Sequence, residues 1–316
     1  MVEYIEDFKW KKGISVKDFV TKLGSVGFQS IELKKSAETM AKMKREGAKI
    51  FLTFTSNMVT SGLRGFFAQV IENKMADICV TTIGGIEEDI MKADGEKFMI
   101  GDFNSDDFEN HEKGLNRVGN VFIDNQSYLK LEDKLLPILT KLYEIKKIWT
   151  PSEIFKEIGL MLNDNNSILF QAAKNNVPIF CPSITDGAFG FHLYLFQQDH
   201  PDFMVDVIGD FKNIVLITDY NEKKAVIALG GSISKHHAIL ATLLNGGAEY
   251  VVYMTTAKPT SGSMSGATTQ EAKSWGKIKD ESDAVTVNGD VSIMFPLAMS
   301  LTFEILSDEG FIENKI

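Results

Sequence analysis

The sequence is poor in the residues that would place it in an oxidising compartment, on a nucleic acid or around a metal. It has two cysteines in 316 residues, Cys79 and Cys181. Both sit inside apolar runs, ICVTT and PIFCPS, which reads as two buried thiols in a reducing compartment rather than a disulfide. Five histidines, with no H-E-x-x-H and no C-x-x-C, argue against a zinc site. Basic residues are outnumbered, 33 against 43 acids, and the net charge of −10 argues against a nucleic-acid partner. The opening VEYIEDFKWKK lacks the basic start and apolar core of a signal peptide, and no apolar run approaches a membrane span. A soluble cytoplasmic protein without a membrane partner is expected. No repeat, low-complexity tract or Pro/Gly linker divides the chain.

What is present is a globular composition, 44% hydrophobic with 22 Phe and 13 Met, enough for a large core. The acids are unevenly spread. Residues 87 to 113 carry ten carboxylates against three lysines, a band that either solvates a loop or draws in a cationic partner. The first 46 residues read as amphipathic helices, with Phe19, Leu23, Val26 and Phe28 in one stretch and Met40 and Met43 in the next. From residue 49, six short β-branched or aromatic runs follow: KIFLTF, DICVTT, VPIFC, KAVIAL, EYVVYM and AVTVNG. Helical segments are expected at about 63–73, 134–146, 152–162, 235–246, 268–275 and 292–306. Strands alternating with helices predict a mainly parallel sheet covered on both faces. The expectation is one domain, 1–316, with a helical extension over 1–46 and a core over 47–316. The stretch from Asp89 to about Val121 reads as its main irregular insertion.

In an open parallel sheet, ligands bind beyond the carboxyl ends of the strands. Those ends carry TSNMVTSG, TIGGIEED, PSITDG, GGSISKHH, TTAKPTSGSMSG and NGDVS. Small residues there let backbone amides approach phosphate oxygens, so several such turns suggest a nucleotide-sized ligand. No standard fingerprint is met: Gly230-Gly231 does not open a G-x-G-x-x-G, no P-loop is present, and G-S-M-S-G has Met264 where a hydrolase elbow needs serine. Tight α/β turns alone would also explain each glycine.

The segment ATTQEAKSWGKI carries more. Thr268 and Glu271 form a T-x-x-E capping box, Glu271 and Trp275 share a helix face, and Gly276 ends the helix and presents Lys277 beside the indole. A lysine against an aromatic, desolvated surface is held below its ordinary pKa and becomes a nucleophile toward an imine or carbonyl carbon. A solvated lysine, a capping glutamate and a core tryptophan are the competing readings. His236 and His237 lie at a helix start, where the dipole favours neutral imidazole; one is expected to face the cleft and the other the packing side. Asp186, Glu87, Glu88 and Asp290 are equally readable as turn and first-turn acids.

Taken in order, TSNMVTSG, TTIGGIEEDI, GLNRVGN, WTPSEIF, CPSITDGAFG, LGGSISKHH, GAEYVVYMTTA and EAKSWGKI resemble the deoxyhypusine synthase family over about residues 49–306, in an archaeal-type or synthase-like form. The resemblance implies a Rossmann-like fold. It implies NAD-dependent oxidation of spermidine, transfer of the aminobutyl group through an enzyme-lysine imine to one lysine of the translation factor 5A precursor, and reduction of that imine by the same NADH. It also implies homotetramers with active sites at subunit interfaces. By motif, Lys277 is the imine-forming lysine, His236 handles the proton lost with hydride, Glu271 binds an ammonium group, Trp275 lines the polyamine channel and Asp186 contacts substrate or cofactor. NAD contacts are implied for Ser56, Asn57, Thr60, Thr82, Glu88, Asp186, Gly230, Gly231, Thr256, Ala257, Gly262, Asp290 and Val291. Phe191 and Met264 stand where the eukaryotic branch of the family carries aspartates, and Ser261 opens the G-S-x-S-G turn where an aspartate is common. A free amine as acceptor, giving a homospermidine synthase-like enzyme, and a catalytically idle NAD-binding paralogue are the alternatives these departures leave open.

Overall fold

In the computed structural model, which describes residues 4–312, the chain passes through α1 (Val16–Leu23), α2 (Gln29–Arg45), β1 (Lys49–Phe54), α3 (Arg64–Glu72), β2 (Ile78–Val80), α4 (Ile83–Ala93), β3 (Met99–Ile100), α5 (Asp107–Glu112), β4 (Leu115–Val118), β5 (Val121–Asp124) and α6 (Asn125–Ile145). It continues through β6 (Ile148–Trp149), α7 (Pro151–Met161), α8 (Ile168–Lys174), β7 (Ile179–Phe180), α9 (Ala188–Asp199), β8 (Met204–Val205), α10 (Val207–Leu216), β9 (Lys224–Leu229), α11 (Ser232–Leu244), β10 (Ala248–Thr255), α12 (Thr269–Ser274), β11 (Ile278–Asn288) and α13 (Val291–Asp308).

The six runs read from the sequence are the six strands of one sheet, ordered β11-β10-β9-β1-β2-β7. The pairs β1 with β9, β9 with β10, β10 with β11 and β2 with β7 are parallel. Every residue of β9 is buried, the continuous burial of a strand covered on both faces, which is why KAVIAL shows no polar alternation. The fold is mixed α/β, a mainly parallel sheet flanked by helices. Contacts divide the chain into two compact units, described separately below.

The first unit comprises residues 4–54, 75–78 and 215–312. Helix α11 lies against β1, β9 and β10, while α2 and α13 pack on one another and against β10. Leu33, Met40 and Met43 of α2 are core residues. The N-terminal extension is less helical than its pattern predicts. Residues 4–15 are almost wholly irregular, α1 stops at Gly24, and Phe28 has a left-handed φ of 62° with 96% of its surface exposed. The Gly24 to Gly27 break separates Val26 and Phe28 from the α1 face. A second correction concerns α13, which is apolar and long enough by composition to cross a membrane (mean hydropathy 1.3). Its Phe295, Ala298, Met299, Leu301 and Leu306 are buried, and the helix packs against α1, α2 and β10.

The second unit comprises residues 55–74 and 79–214. Helix α4 packs against α6, α8 and α9, and α8 against α3 and α7. Asp89 of α4 lies at the centre. Its carboxylate accepts from Arg64, from Ser167 Oγ at 2.9 Å and from the backbone amides of Ile168 (3.2 Å) and Leu169 (2.8 Å), tying α3, α4 and α8 together. The stretch from Asp89 to Val121 is not an irregular insertion. It holds the rest of α4, β3, α5 and β4, and β3, β5 and β4 form an antiparallel sheet. Strands of two to four residues with largely exposed faces leave no alternation long enough to read. Helix α6 begins well before residue 134 because Asp124 caps it, accepting the Gln126 amide at 2.8 Å.

Candidate active site

In the first unit the site is organised by how α12 ends. Thr268 accepts the Glu271 amide at 3.2 Å, but the Glu271 side chain does not complete the expected box and is left exposed. At the other end Gly276 takes φ 69°, its amide donates to Lys273 O at 2.9 Å, and the Lys277 amide donates to Ala272 O at 3.2 Å. This pair of bonds is a Schellman closure, and it requires a residue tolerant of the left-handed region at 276. The Lys277 carbonyl is also held, accepting the Ala248 amide at 3.1 Å. Lys277 is therefore anchored on both sides of its Cα. Its side chain is buried, with Nζ 5.0 Å from the centre of the exposed Trp275 ring. Burial pushes its ammonium below the ordinary lysine value, and the Glu271 carboxylate opposes that shift.

The entry to α11 follows β9 directly. Gly230 has φ 80°, and Gly231 meets the side chain of Ser265 so closely that a Cβ would lie 2.3 Å from it. Ser265 Oγ accepts the Ser232 amide at 3.0 Å. The close approach that glycine permits here is thus used by the chain's own G-S-M-S-G turn. His236 is exposed and His237 half-buried. Both imidazoles are held below their ordinary value, His237 at about 4, mainly by burial; for His236 the second cause is the Lys277 charge. The helix dipole is not the main agent, because His236 is the fifth residue of α11. Missed by the sequence reading is Lys235, which is 1% exposed and donates to Met264 O at 3.1 Å and Ala267 O at 2.8 Å. Thr256, Ala257 and Gly262 lie in the turn after β10, where the Ala257 amide donates to Thr255 Oγ1 at 3.0 Å. Asp290 caps α13 through the Ser292 amide at 2.8 Å, and Val291 is buried.

In the second unit, Ser56, Asn57 and Thr60 follow β1, and Thr82 and Glu88 follow β2. Thr82 Oγ1 accepts the Ser56 amide at 3.0 Å. The Thr60 hydroxyl lies 2.8 and 2.7 Å from the two Glu88 oxygens, and both residues are buried. Burial pushes the Glu88 carboxyl up to about 7. Asn57 and Asp186 are exposed. Glu87, read from sequence as a first-turn acid, is the fifth residue of α4 and instead accepts the Phe189 amide at 2.9 Å at the start of α9. Gly187 leaves room for this: a Cβ there would lie 3.0 Å from Glu87 Oε2.

Among the described residues, the buried hydroxyls of Thr53 and Tyr253 in the first unit, and of Thr81 in the second, have no hydrogen-bond partner. Thr53 and Tyr253 lie near the carboxyl ends of β1 and β10, and Thr81 follows β2.

The family model described as deoxyhypusine synthase matches residues 18–302. The chain belongs to the deoxyhypusine synthase family. The deoxyhypusine synthase of Senecio vernalis is 36% identical over 329 residues, covering 95% of this chain and 88% of the relative. A "probable deoxyhypusine synthase" of Thermoplasma volcanium is 37% identical over 298 residues, covering 94% and 96%. A crystal structure of a "putative deoxyhypusine synthase" from Entamoeba histolytica superposes with a TM-score of 0.69 at 29% identity, covering 95% of this chain and 97% of that one. The resemblance read from the eight motifs is the family the comparisons show. Deoxyhypusine synthases are transferases, and no relative favours the free-amine or idle-paralogue alternatives.

Proposed function

We propose that the chain transfers the aminobutyl group of spermidine to a specific lysine of the translation factor 5A precursor, in an NAD-dependent reaction that passes through an imine on Lys277. The observation that carries this reading is the setting of Lys277: a backbone fixed by the Schellman closure and a buried amine held below its ordinary pKa beside Trp275. NAD, when bound, supplies the hydride acceptor for the amine carbon and returns the hydride at the end. The neutral Lys277 amine attacks the imine carbon of oxidised spermidine, and the remaining diamine leaves as the enzyme-bound imine forms. His236, whose imidazole is held below its ordinary value by partial burial, receives the proton released with hydride transfer. Glu271, free of its expected capping role, pairs with a polyamine ammonium, and Trp275 lines its path. Ser56, Asn57, Thr60, Thr82, Glu88 and Asp186 in one unit, and Gly230, Gly231, Thr256, Ala257, Gly262, Asp290 and Val291 in the other, are the proposed NAD contacts. A homotetramer in the cytoplasm is the proposed working form.

Incubation with NAD and spermidine followed by borohydride is expected to leave an aminobutyl adduct on Lys277, located by peptide mass spectrometry. No adduct under conditions where NAD binds would overturn the reading. Offering purified precursor and putrescine together identifies the acceptor.

A further inference from the structure

A buried cation to which the proposed chemistry gives no role sits immediately before His236. Lys235 is 1% exposed, yet no carboxylate forms an ion pair with it among the described residues. An ammonium has three donors and is costly to bury unless each is satisfied. Two go to Met264 O at 3.1 Å and Ala267 O at 2.8 Å, and Nζ lies 3.9 Å from the centre of the Tyr253 ring. Ala267 immediately precedes Thr268, the N-cap of α12. Three residues back along α11, the Ser232 amide donates to Ser265 Oγ at 3.0 Å. Helix α11 therefore grips the 264–267 turn at two points, and that turn leads into the six-residue helix whose end delivers Lys277.

The geometry points to Lys235 as a positioning residue: its buried ammonium clamps the turn that enters α12 and so sets Lys277 against His236 on α11. The inference deepens the proposed function and rests on its assignment of Lys277. A six-residue helix does not hold its own place, so its register depends on what its two ends are tied to. The charged groups facing Lys235 are Glu271 and Lys277 from the α12 side, with the Tyr253 ring beneath from β10. Burial and the Lys277 charge lower the Lys235 ammonium to about 8, and Glu271 opposes them. Burial is what holds the Lys277 amine below its ordinary value, so a loosened α12 that lets water reach Lys277 would return it toward that value.

Two measurements on Lys235→Met, with Lys235→Arg as the variant that keeps charge and donors, test this without requiring turnover. Amide hydrogen exchange across residues 265–277 is expected to accelerate by about tenfold or more in Lys235→Met, with α2 and α13 unchanged, and to be largely restored in Lys235→Arg. Labelling of the Lys277 amine by reductive methylation is expected to need higher pH in Lys235→Met; for every pH unit by which its midpoint rises, labelling below that midpoint slows about tenfold. Unchanged exchange together with an unchanged labelling profile would overturn the inference. Failure of the borohydride trap in the wild-type protein would instead overturn the proposed function, and the exchange and labelling results would still decide the clamp.

Discussion

Gly231 and Ser265 are in a contact that no other residue type at 231 could make: an added Cβ would lie 2.3 Å from Ser265 Cβ and Oγ and 2.5 Å from its Cα. The φ of Gly231 is −142°, so the conflict is one of contact rather than of handedness. Gly231→Ala is expected to lower stability by about 1–3 kcal/mol, the usual cost of overpacking, read from urea unfolding midpoints. Because the backbone Cα of Ser265 is itself too close, Ser265→Gly is not expected to rescue it. Full rescue would show that only the serine side chain is in the way.

Gly276 is constrained differently, by its φ of 69° in the closure that follows α12. Gly276→Ala is expected to cost about 1–2 kcal/mol and, by displacing the Lys277 backbone, to slow adduct formation on the order of 10²-fold. Gly276→Asn, which tolerates the left-handed region, is expected to retain much of both. Equal trapping rates in Gly276→Ala and wild type would show that Lys277 does not depend on this closure for its placement.

How far the sequence could be read depends on the length of the signal. Most sheet strands were legible because buried parallel strands are nearly uninterrupted apolar runs. The place of Lys277 just past a short helix was legible because Thr268 and Gly276 mark its two ends, whereas the role proposed for Lys277 came from the resemblance of the motifs and not from local sequence. The β3, β4 and β5 strands were not, since two to four residues carry no period. Phe28 was misassigned because an apolar residue at the right spacing says nothing of the break at Gly24 to Gly27. Lys235 was invisible for a related reason. Its partners are the carbonyls of Met264 and Ala267, and main-chain acceptors distant along the chain leave no mark in residue identity.

Glu88 gives the fold a specific pH dependence. Its carboxyl titrates near 7 in the folded chain, against an ordinary value of 4.5, because burial outweighs the Thr60 hydrogen bond and the Lys92 charge. Between those values the folded state keeps a proton that the unfolded state releases, so this group's contribution to stability is full below pH 4.5 and is lost as pH rises through 7. The total is on the order of 3 kcal/mol. Glu88→Gln, which preserves an acceptor for Thr60, is expected to flatten that slope and to raise the melting temperature relative to wild type at pH 8 but not at pH 4.5. Parallel melting curves for the two proteins across this range would refute the assignment.

The ten carboxylates of residues 87 to 113 look in sequence like a device for gathering cations, but the structure leaves few of them available. Glu87, Glu88 and Asp89 are buried. Asp94 pairs with Lys134 at 2.5 Å, Glu96 with Lys130 at 2.6 Å, Asp107 with Arg117 at 2.5 Å and Glu109 with Lys113 at 2.9 Å. Asp106 caps α5 and Asp102 accepts the Asn104 amide at 2.8 Å, so Asp102, Asp106 and Glu112 are the exposed acids of this band with no ion-pair partner among the described residues. Three exposed carboxylates exert little pull beyond the roughly 8 Å screening length of physiological salt. KM for spermidine is therefore expected to change by less than about twofold as ionic strength rises from about 0.05 to 0.3 M. A KM that climbs steeply with salt would mean that the band steers the polyamine despite its internal pairing, and Asp102→Asn with Asp106→Asn and Glu112→Gln should then abolish the climb.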